Sequence, residues 1–363
     1  MTKLKKVSIV GPLAPPAGGM ANQTKKLAEF LRSEKITVDI IRTNPDYKPA
    51  FVAKLPVIRA LFRLLTYIIN LIKRLKHTDV IHIMANSGWS WHLFAAPAIV
   101  IGRMYNKPVI VNYRGGYASE FFSKSWSWVH LTLKNVQAIV VPSIFLQEVF
   151  QQYHKSAIVI PNVLDKTLFS QDKTLKINDE PHFIVTRNLE AIYDVATTVR
   201  AFALIVKEFP NATLSIAGTG PEKEALTALI TRLQLNESIN FTGRLAPKEM
   251  AKLYQQADVM LNASTVDNTP NSIIEALACG TPVVSTNAGG IPKLVTHQYD
   301  ALLVNIADHQ KMAASAIDVI KEMPLQQGLI TNGLKTIEKF YWSNVWLKLK
   351  ACYDESIRIN CAS

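Results

Sequence analysis

The residues best suited to chemistry lie in one stretch, 267–290, which reads DNTPNSIIEALACGTPVVSTNAGG. Asp267 and Glu275 are eight positions apart. The pattern predicts a helix over NSIIEALACG, with Asp267 ahead of it and Glu275 within it. Gly280, Thr281 and Pro282 then end the helix and feed a strand. A helix N-terminus offers free N–H groups and partial positive charge, a natural seat for phosphate or sugar oxygens. Carboxylates placed there can accept hydrogen bonds from vicinal hydroxyls. The plainer reading is a capping aspartate and a surface glutamate, and spacing alone favours it.

Other chemistries find less support. The eight histidines form neither an HxxxH nor an HExxH pattern, and no DxD stands in a plausible loop. His82, inside an apolar strand, reads as a packed histidine, and His297 and His309 as surface residues. Cys279, Cys352 and Cys361 have no paired spacing, so neither a disulfide framework nor a zinc site is expected. Cys279 reads as helix packing. Trp89, Trp91, Trp126 and Trp128, in SGWSW and KSWSW, suit an acceptor groove or plain packing equally well.

The elements that must position these residues come in two series. KKVSIVG (5–11), ITVDIIRT (36–43), DVIHIMA (79–85), KPVIVNYRGG (107–116), AIVVPS (138–143) and SAIVIPNV (156–163) read as short buried strands. Helical spacing appears over 20–34, 51–76 and 92–106. Residues 164–181 are polar and unpatterned and read as a linker. The alternation then restarts, with strands over 182–187, 212–218, 238–243 and 258–264 and helices at 194–209, to about 233, and at 248–257. Two doubly wound α/β units with parallel sheets are expected, with ligands at the strands' C-terminal edges.

Charge is unevenly spread along the 363 residues. The net is +12, but residues 1–180 hold 24 Lys/Arg against 11 Asp/Glu, while residues 181–363 hold 16 against 17. The excess faces an anionic partner: membrane, nucleic acid or an acidic substrate. Residues 51–76 carry six basic side chains and no acidic one. There Arg59, Arg63, Asn70, Lys73 and Arg74 fall on one stripe of a helix that is otherwise apolar. No apolar run reaches the ~20 residues of a membrane span. A helix lying on an anionic bilayer and a core helix with a solvated basic edge both fit. The apolar run after MTKLKK is only a strand long, so no signal peptide is expected.

The stretch 267–290 resembles the donor motif of retaining glycosyltransferases of family 4. Pro270, Asn271, Glu275, Ala276, Ala278, Gly280, Pro282, Val283, Val284, Gly289 and Gly290 match it, and Asp267 stands where the family has its first Glu. Further pieces follow in the family's order. They are Ala17-Gly18-Gly19, PNVLDKTLF (161–169), the G-x-G-P loop at Gly218-Thr219-Gly220-Pro221, Phe241-Thr242-Gly243-Arg244, and a final helix over 340–357.

The resemblance implies the GT-B fold, two Rossmann-like doubly wound domains with an interdomain cleft and a C-terminal crossover helix. Residues 1–163 with 341–363 would form the acceptor side, and 164–340 the nucleotide-sugar domain. It implies transfer of a sugar, with retention, from a nucleotide diphosphate sugar to a saccharide or lipid-linked acceptor. No cofactor or metal is implied, only the donor as co-substrate. The setting implied is bacterial surface polysaccharide assembly, in the cytoplasm or on the inner face of the plasma membrane. The basic, apolar stretch 51–76 then reads as the part that meets anionic lipid, and the sequence carries no RNA- or DNA-binding signature, so no nucleic-acid partner is expected.

By the same resemblance Glu275 holds ribose hydroxyls and Asp267 the donor sugar, and Arg187 steadies the leaving diphosphate. Gly18, Gly19, Gly218, Gly220, Arg244, Pro270, Asn271 and Ser272 complete the donor site. Two departures stand out. The family's second phosphate-gripping cation is replaced by Ile192, for which Lys293 and the Gly18-Gly19 amides are candidate substitutes. The family's His near the reacting sugar is replaced by Arg114, which stays protonated and cannot act as a base, but can hydrogen-bond the sugar or phosphate and is a further candidate for the cation missing at Ile192. For Arg187 an ion pair with Glu190 is the structural alternative. A GT-B epimerase or phosphorylase, a donor-binding protein without turnover, and a nucleic-acid binder remain as alternatives.

Overall fold

The computed structural model describes residues 4–15, 18–45, 56–172 and 180–362. Ala17, residues 51–55 of the basic segment, the side chain of Arg59 and residues 173–179 of the expected linker lie outside the described residues. The chain divides into two compact units, Met1–Val163 with Trp342–Ser363, and Leu164–Tyr341.

In the first unit, β1 (Lys6–Gly11), β2 (Thr37–Arg42), β3 (Val80–Ala85), β4 (Val109–Tyr113), β5 (Ala138–Val141) and β6 (Ile158–Val159) pair in the order β2-β1-β3-β4-β5-β6. Every pairing is parallel. The helices are α1 (Gly19–Ser33), α2 (Pro56–Leu75), α3 (Ala96–Met104), α4 (Ala118–Leu133) and α5 (Ile144–Gln152). Right-handed crossovers send α1 to one face and α2 to α5 to the other. The cores follow that division. Tyr67, Leu71, Ile99, Phe122 and Phe150 pack on one face. Leu27, Leu31, Val345, Leu349 and Tyr353 pack on the other with Ile9 and Ile110. The last helix, Trp342–Ala362, therefore completes the first unit's second layer.

In the second unit, β7 (His182–Val185), β8 (Thr213–Ile216), β9 (Ile239–Phe241), β10 (Val259–Asn262), β11 (Val283–Thr286) and β12 (Leu302–Val304) pair in the order β12-β11-β10-β7-β8-β9. All of these pairs are parallel too. Its helices are α6 (Val195–Glu208), α7 (Lys223–Arg232), α8 (Pro247–Gln256), α9 (Asn271–Ala278), α10 (Ile291–Leu294), α11 (His309–Lys321) and α12 (Met323–Thr336). Winding runs one way from β7 to β9 and the other way from β10 to β12, so the switch lies between β7 and β10. At such a switch point the loops leaving the strands' C-terminal ends diverge, which is where doubly wound sheets take their ligands.

Several elements depart from the sequence reading. Helices α4, α5, α11 and α12 have no counterpart in it; in α4 the apolar spacing is carried by Phe121, Phe122, Val129 and Leu133, among intervening Ser and Trp residues that hide it. The strand expected over 156–163 shrinks to Ile158–Val159, because Pro161 follows. The helix expected over 92–106 opens with a π-helical turn, Trp91–Ala95. In α2 the buried side is Tyr67, Leu71 and Leu75, while Arg74 turns aside to pair with Asp39. The outward side carries Leu61, Leu65, Ile69 and Ile72 rather than the basic stripe alone.

Candidate functional site

Five loops of the second unit leave the same edge of its sheet, and each carries an expected site residue. Arg187 follows β7, Gly218 and Gly220 follow β8, Arg244 follows β9, Asp267 follows β10, and Gly289-Gly290 follow β11. Parallel strands make this convergence inevitable.

At the switch point between β7 and β10 the loops become a network. The Arg187 guanidinium pairs with the Asp267 carboxylate, 80 residues on, and both side chains are nearly buried, at 11% and 14% exposure. It also donates to Ser264 Oγ at 3.1 Å and to Ser272 Oγ at 3.2 Å. Ser264 Oγ donates onward to Asn262 Oδ1 at 3.0 Å. The Tyr193 ring lies under the guanidinium, 4.3 Å from ring centre to carbon, a cation–π contact. Burial pulls the Arg187 pKa below its ordinary value, opposed by Tyr193, Tyr254 and Glu275. Arginine remains charged even so. Arg187 Nε and Thr269 Oγ1 are buried with no hydrogen-bond partner. Unpartnered buried polar atoms are costly and call for a partner such as a ligand or a water.

Asp267 is not the helix cap that spacing alone favoured. Pro270 occupies the N-cap of α9 and makes no side-chain cap bond. The Asp267 carboxylate instead accepts from the Asn268 N–H at 2.8 Å and pairs with Arg187. The first turn of α9 carries no acidic residue, so its dipole adds to the guanidinium charge. Nor does Arg187 pair with Glu190, whose carboxylate accepts from Asn188 Nδ2 at 3.0 Å. Glu275 is half-buried rather than a free surface group. Tyr254 donates to it at 3.5 Å and shares its hydroxyl with Thr186 Oγ1 at 2.8 Å. Burial, then the Glu275 charge, raises the Tyr254 pKa well above the ordinary phenol value.

Glycines allow backbones to close around this cluster. A Cβ on Gly218 would collide with the Arg187 carbonyl oxygen, and one on Gly290 with that of Asn268. The Gly290 N–H donates to the Asp267 carbonyl at 2.9 Å, tying the β11 loop to the β10 loop. Ile192 lies in a 3₁₀ turn, and its carbonyl accepts from the Thr265 N–H at 2.8 Å. Lys293 is exposed on α10, directly after the Gly289-Gly290 loop. Arg244 is exposed past the end of β9.

The remaining expected residues belong to the first unit. Gly18 is the N-cap of α1, and Gly18 and Gly19 are exposed with open space where a Cβ would stand. Arg114 follows β4 and donates to Asn162 Oδ1 at 2.5 Å. Burial lowers its pKa to about 10. Close by, His82 is fully buried between Asn112 Nδ2 at 3.1 Å and the Tyr353 hydroxyl at 2.9 Å. Burial, then the Arg114 charge, pushes its pKa down to about 3. The tryptophans divide: Trp91 is buried, Trp126 packs on Tyr153, and Trp89 and Trp128 are exposed. Sequence reasoning missed Tyr193, Tyr254, Ser264 and Thr186; a place past the ends of β7 and β10 could have pointed to Thr186, Tyr193 and Ser264, whereas Tyr254 sits inside α8 and carries no such signal. Cys279 is buried, with its thiol pushed up to about 12, and Cys352 is buried too. Among the described residues no three His, Cys, Asp or Glu side chains gather as a metal site.

Comparison with known proteins matches both units. The family described as "Glycosyltransferase Family 4" matches residues 17–168, and "Glycosyl transferases group 1" matches residues 167–336. An uncharacterized glycosyltransferase of Methanocaldococcus jannaschii is 25% identical, over 94% of this chain and 95% of its own. N-acetyl-alpha-D-glucosaminyl L-malate synthase of Bacillus anthracis is 28% identical over 47% of this chain, a match spanning 44% of that enzyme. Alpha-monoglucosyldiacylglycerol synthase of Streptococcus pneumoniae is 28% identical over 42% of this chain and 38% of its own. Among solved structures, sucrose-phosphate synthase from Thermosynechococcus elongatus superposes with a TM-score of 0.78 at 18% identity, covering 99% of this chain and all of that one. Anabaena HepE, in complex with UDP and glucose, gives 0.73 at 18% identity, over 97% of this chain and all of that one. At that identity the likeness shows the fold, which is GT-B with two Rossmann-like units.

Proposed function

We propose a sugar-transfer reaction for this chain, which belongs to glycosyltransferase family 4. A sugar passes from a nucleotide diphosphate sugar to a saccharide or lipid-linked acceptor, with retention at the anomeric carbon. The observation that carries the reading is the Arg187 cluster at the β7/β10 switch point, with its unpartnered Nε and the α9 N-terminus.

In this reading the diphosphate meets Arg187 and the first turn of α9. Two sources of positive charge oppose the charge that develops as the glycosidic C–O bond breaks and its electron pair goes to the phosphate oxygen. Asp267, released from Arg187 as the diphosphate takes its place, accepts hydrogen bonds from the donor sugar. Glu275 accepts from the ribose hydroxyls. The acceptor oxygen bonds the anomeric carbon on the face the diphosphate leaves, and its proton goes to the departing phosphate oxygen. No resident metal takes part. Arg187 supplies one fork where the family has two cations, and Lys293, shortly after the Gly289-Gly290 loop, is one candidate for the second.

The lipid side of the acceptor reading is supported by two relatives. One is named alpha-monoglucosyldiacylglycerol synthase, and another, from Homo sapiens, is named as a component of phosphatidylinositol N-acetylglucosaminyltransferase. A place at the inner face of the plasma membrane, in surface polysaccharide assembly, fits such an acceptor. No described helix is long and apolar enough to cross a membrane.

A thermal-shift screen against nucleotide sugars tests the donor step, since a ligand bound only by the folded state raises the melting point. One nucleotide sugar should stabilise the chain in the presence of EDTA, and acceptor addition should then release nucleoside diphosphate. Stabilisation without release in any acceptor mixture would favour a donor-binding protein without turnover, a reading to which Ile192 lends weight. No stabilisation by any nucleotide sugar would sink both.

A further inference from the structure

Helices α2, α3 and α4 lie side by side over one face of the first unit's sheet, α2 against α3 and α3 against α4. Their inner sides fill the core. Their outer sides are unusual for a protein surface. On α2, Leu61, Leu65, Ile69 and Ile72 follow one another at spacings of four, four and three, and are 45–59% exposed. Val100 and Met104 on α3 are 45% and 77% exposed, with Leu93 in the preceding turn. On α4 Trp128 is 69% exposed and Leu131 55%. Scattered exposed apolar residues are ordinary, but stripes on three adjacent helices form one contiguous face, and such faces mark an interaction surface.

Charge selects the partner. Over the three helices the only acidic residue is Glu120, and Lys124 holds it at 2.7 Å. Exposed Lys73, Lys76, Arg103 and Lys134 border the face. An apolar surface with one large exposed indole ring and a basic margin matches an anionic bilayer. Leu, Ile, Met and Trp side chains enter the headgroup–acyl boundary, and Lys and Arg reach the lipid phosphates. We infer that the outer face of α2, α3 and α4 docks the protein on anionic lipid as a peripheral, non-spanning attachment. This deepens the lipid-acceptor part of the proposed function. It rests on the first unit alone.

The test is sedimentation of the full chain with vesicles of phosphatidylcholine, with and without phosphatidylglycerol, with no donor or acceptor present. Binding is expected to phosphatidylglycerol vesicles at low salt and to weaken as salt rises. The double variant Leu65→Glu/Ile69→Glu, at exposed positions, should keep the wild-type melting temperature and lose roughly tenfold or more in partition. Trp128→Ser should weaken binding less. Leu347→Glu, at a position 67% exposed on the last helix, should bind as wild type does. Absence of wild-type binding, or equal binding by the double variant, would overturn the inference. So would a concentration-dependent dimer abolished by that variant, which would make a second copy the occupant. Donor stabilisation in the thermal-shift screen is read separately, so failure here leaves the donor reading standing.

Discussion

Arg187 is held on several sides at once, by Asp267, Ser264, Ser272 and the Tyr193 ring. A planar fork fits that cage and a lysine ammonium does not. Arg187→Lys should keep the fold and cut transfer by about tenfold or more, the worth of one charge-assisted hydrogen bond at ~1.5–3 kcal/mol. Steady-state kinetics of nucleoside diphosphate release would read it, and unchanged kcat/KM would count against the phosphate role. Asp267→Ala leaves a nearly buried guanidinium without its counter-charge. Breaking such a pair costs about 3–5 kcal/mol. The melting point of this variant should fall, and nucleoside diphosphate should restore more of it than it adds to wild type, because phosphate replaces the lost carboxylate. Equal stabilisation of both proteins would contradict that exchange. The sequence named both residues but not their pairing. It offered Glu190 as the partner of Arg187 because nearness along the chain was the only nearness visible.

Between elements, the loops after β10 and β11 meet at Gly290, and the first sheet meets the last helix at His82. Gly290→Val would force the two loops apart and displace Asp267 along with the backbone it hangs on. Donor stabilisation should be lost at modest cost to the melting point, and retention of donor binding would show that the loop contact is incidental. His82 titrates near 6.5 when the chain is unfolded, and burial holds it near 3 in the fold. The folded protein thus favours neutral imidazole. Its stabilising contribution is complete above about pH 6.5 and drains away as pH falls toward 3, by up to roughly 4–5 kcal/mol. Urea unfolding of His82→Gln should show a flatter stability profile between those limits than wild type. An identical profile would place the acid sensitivity elsewhere. His82 was read in the sequence as a packed histidine, and it is one; its partner Tyr353, 271 residues away, was beyond reach of any local pattern.

At the scale of the molecule, the last helix is as much a part of the first unit as its strands are. Val345, Leu349, Cys352 and Tyr353 cover Val7, Ile9, Val80 and Ile110. Each large buried side chain contributes about 1.5–3 kcal/mol. A chain stopped after Tyr341 should therefore expose one sheet face of the first unit and lose solubility, while residues 164–341, with cores of their own, should fold alone. Circular dichroism melts of the two truncations would check both statements; a soluble, cooperative first unit lacking the helix would refute the first. The uneven charge belongs to this scale as well. The basic excess lies in the first half of the chain, where exposed Lys73, Lys76, Arg103 and Lys134 flank the apolar sides of α2 to α4 and others, such as Lys25 and Lys35, lie on or beside α1.

The sequence alone determined the alternation of short apolar strands and helices, its restart in a second series, and the donor-like stretch 267–290. Those are local properties: period, turn residues and glycine spacing all act within a few positions of the chain. It also placed Arg187, Asp267 and the glycines at strand ends, which parallel winding carries to one edge. Tertiary structure decided what period cannot encode. The order β12-β11-β10-β7-β8-β9 put the ends of β7 and β10 side by side and so made Arg187 and Asp267 partners. Packing decided which face of α2 met the core. A wide apolar surface satisfies a core and a bilayer equally, and only the neighbours of Tyr67 and Leu71 left Leu61, Leu65, Ile69 and Ile72 turned outward.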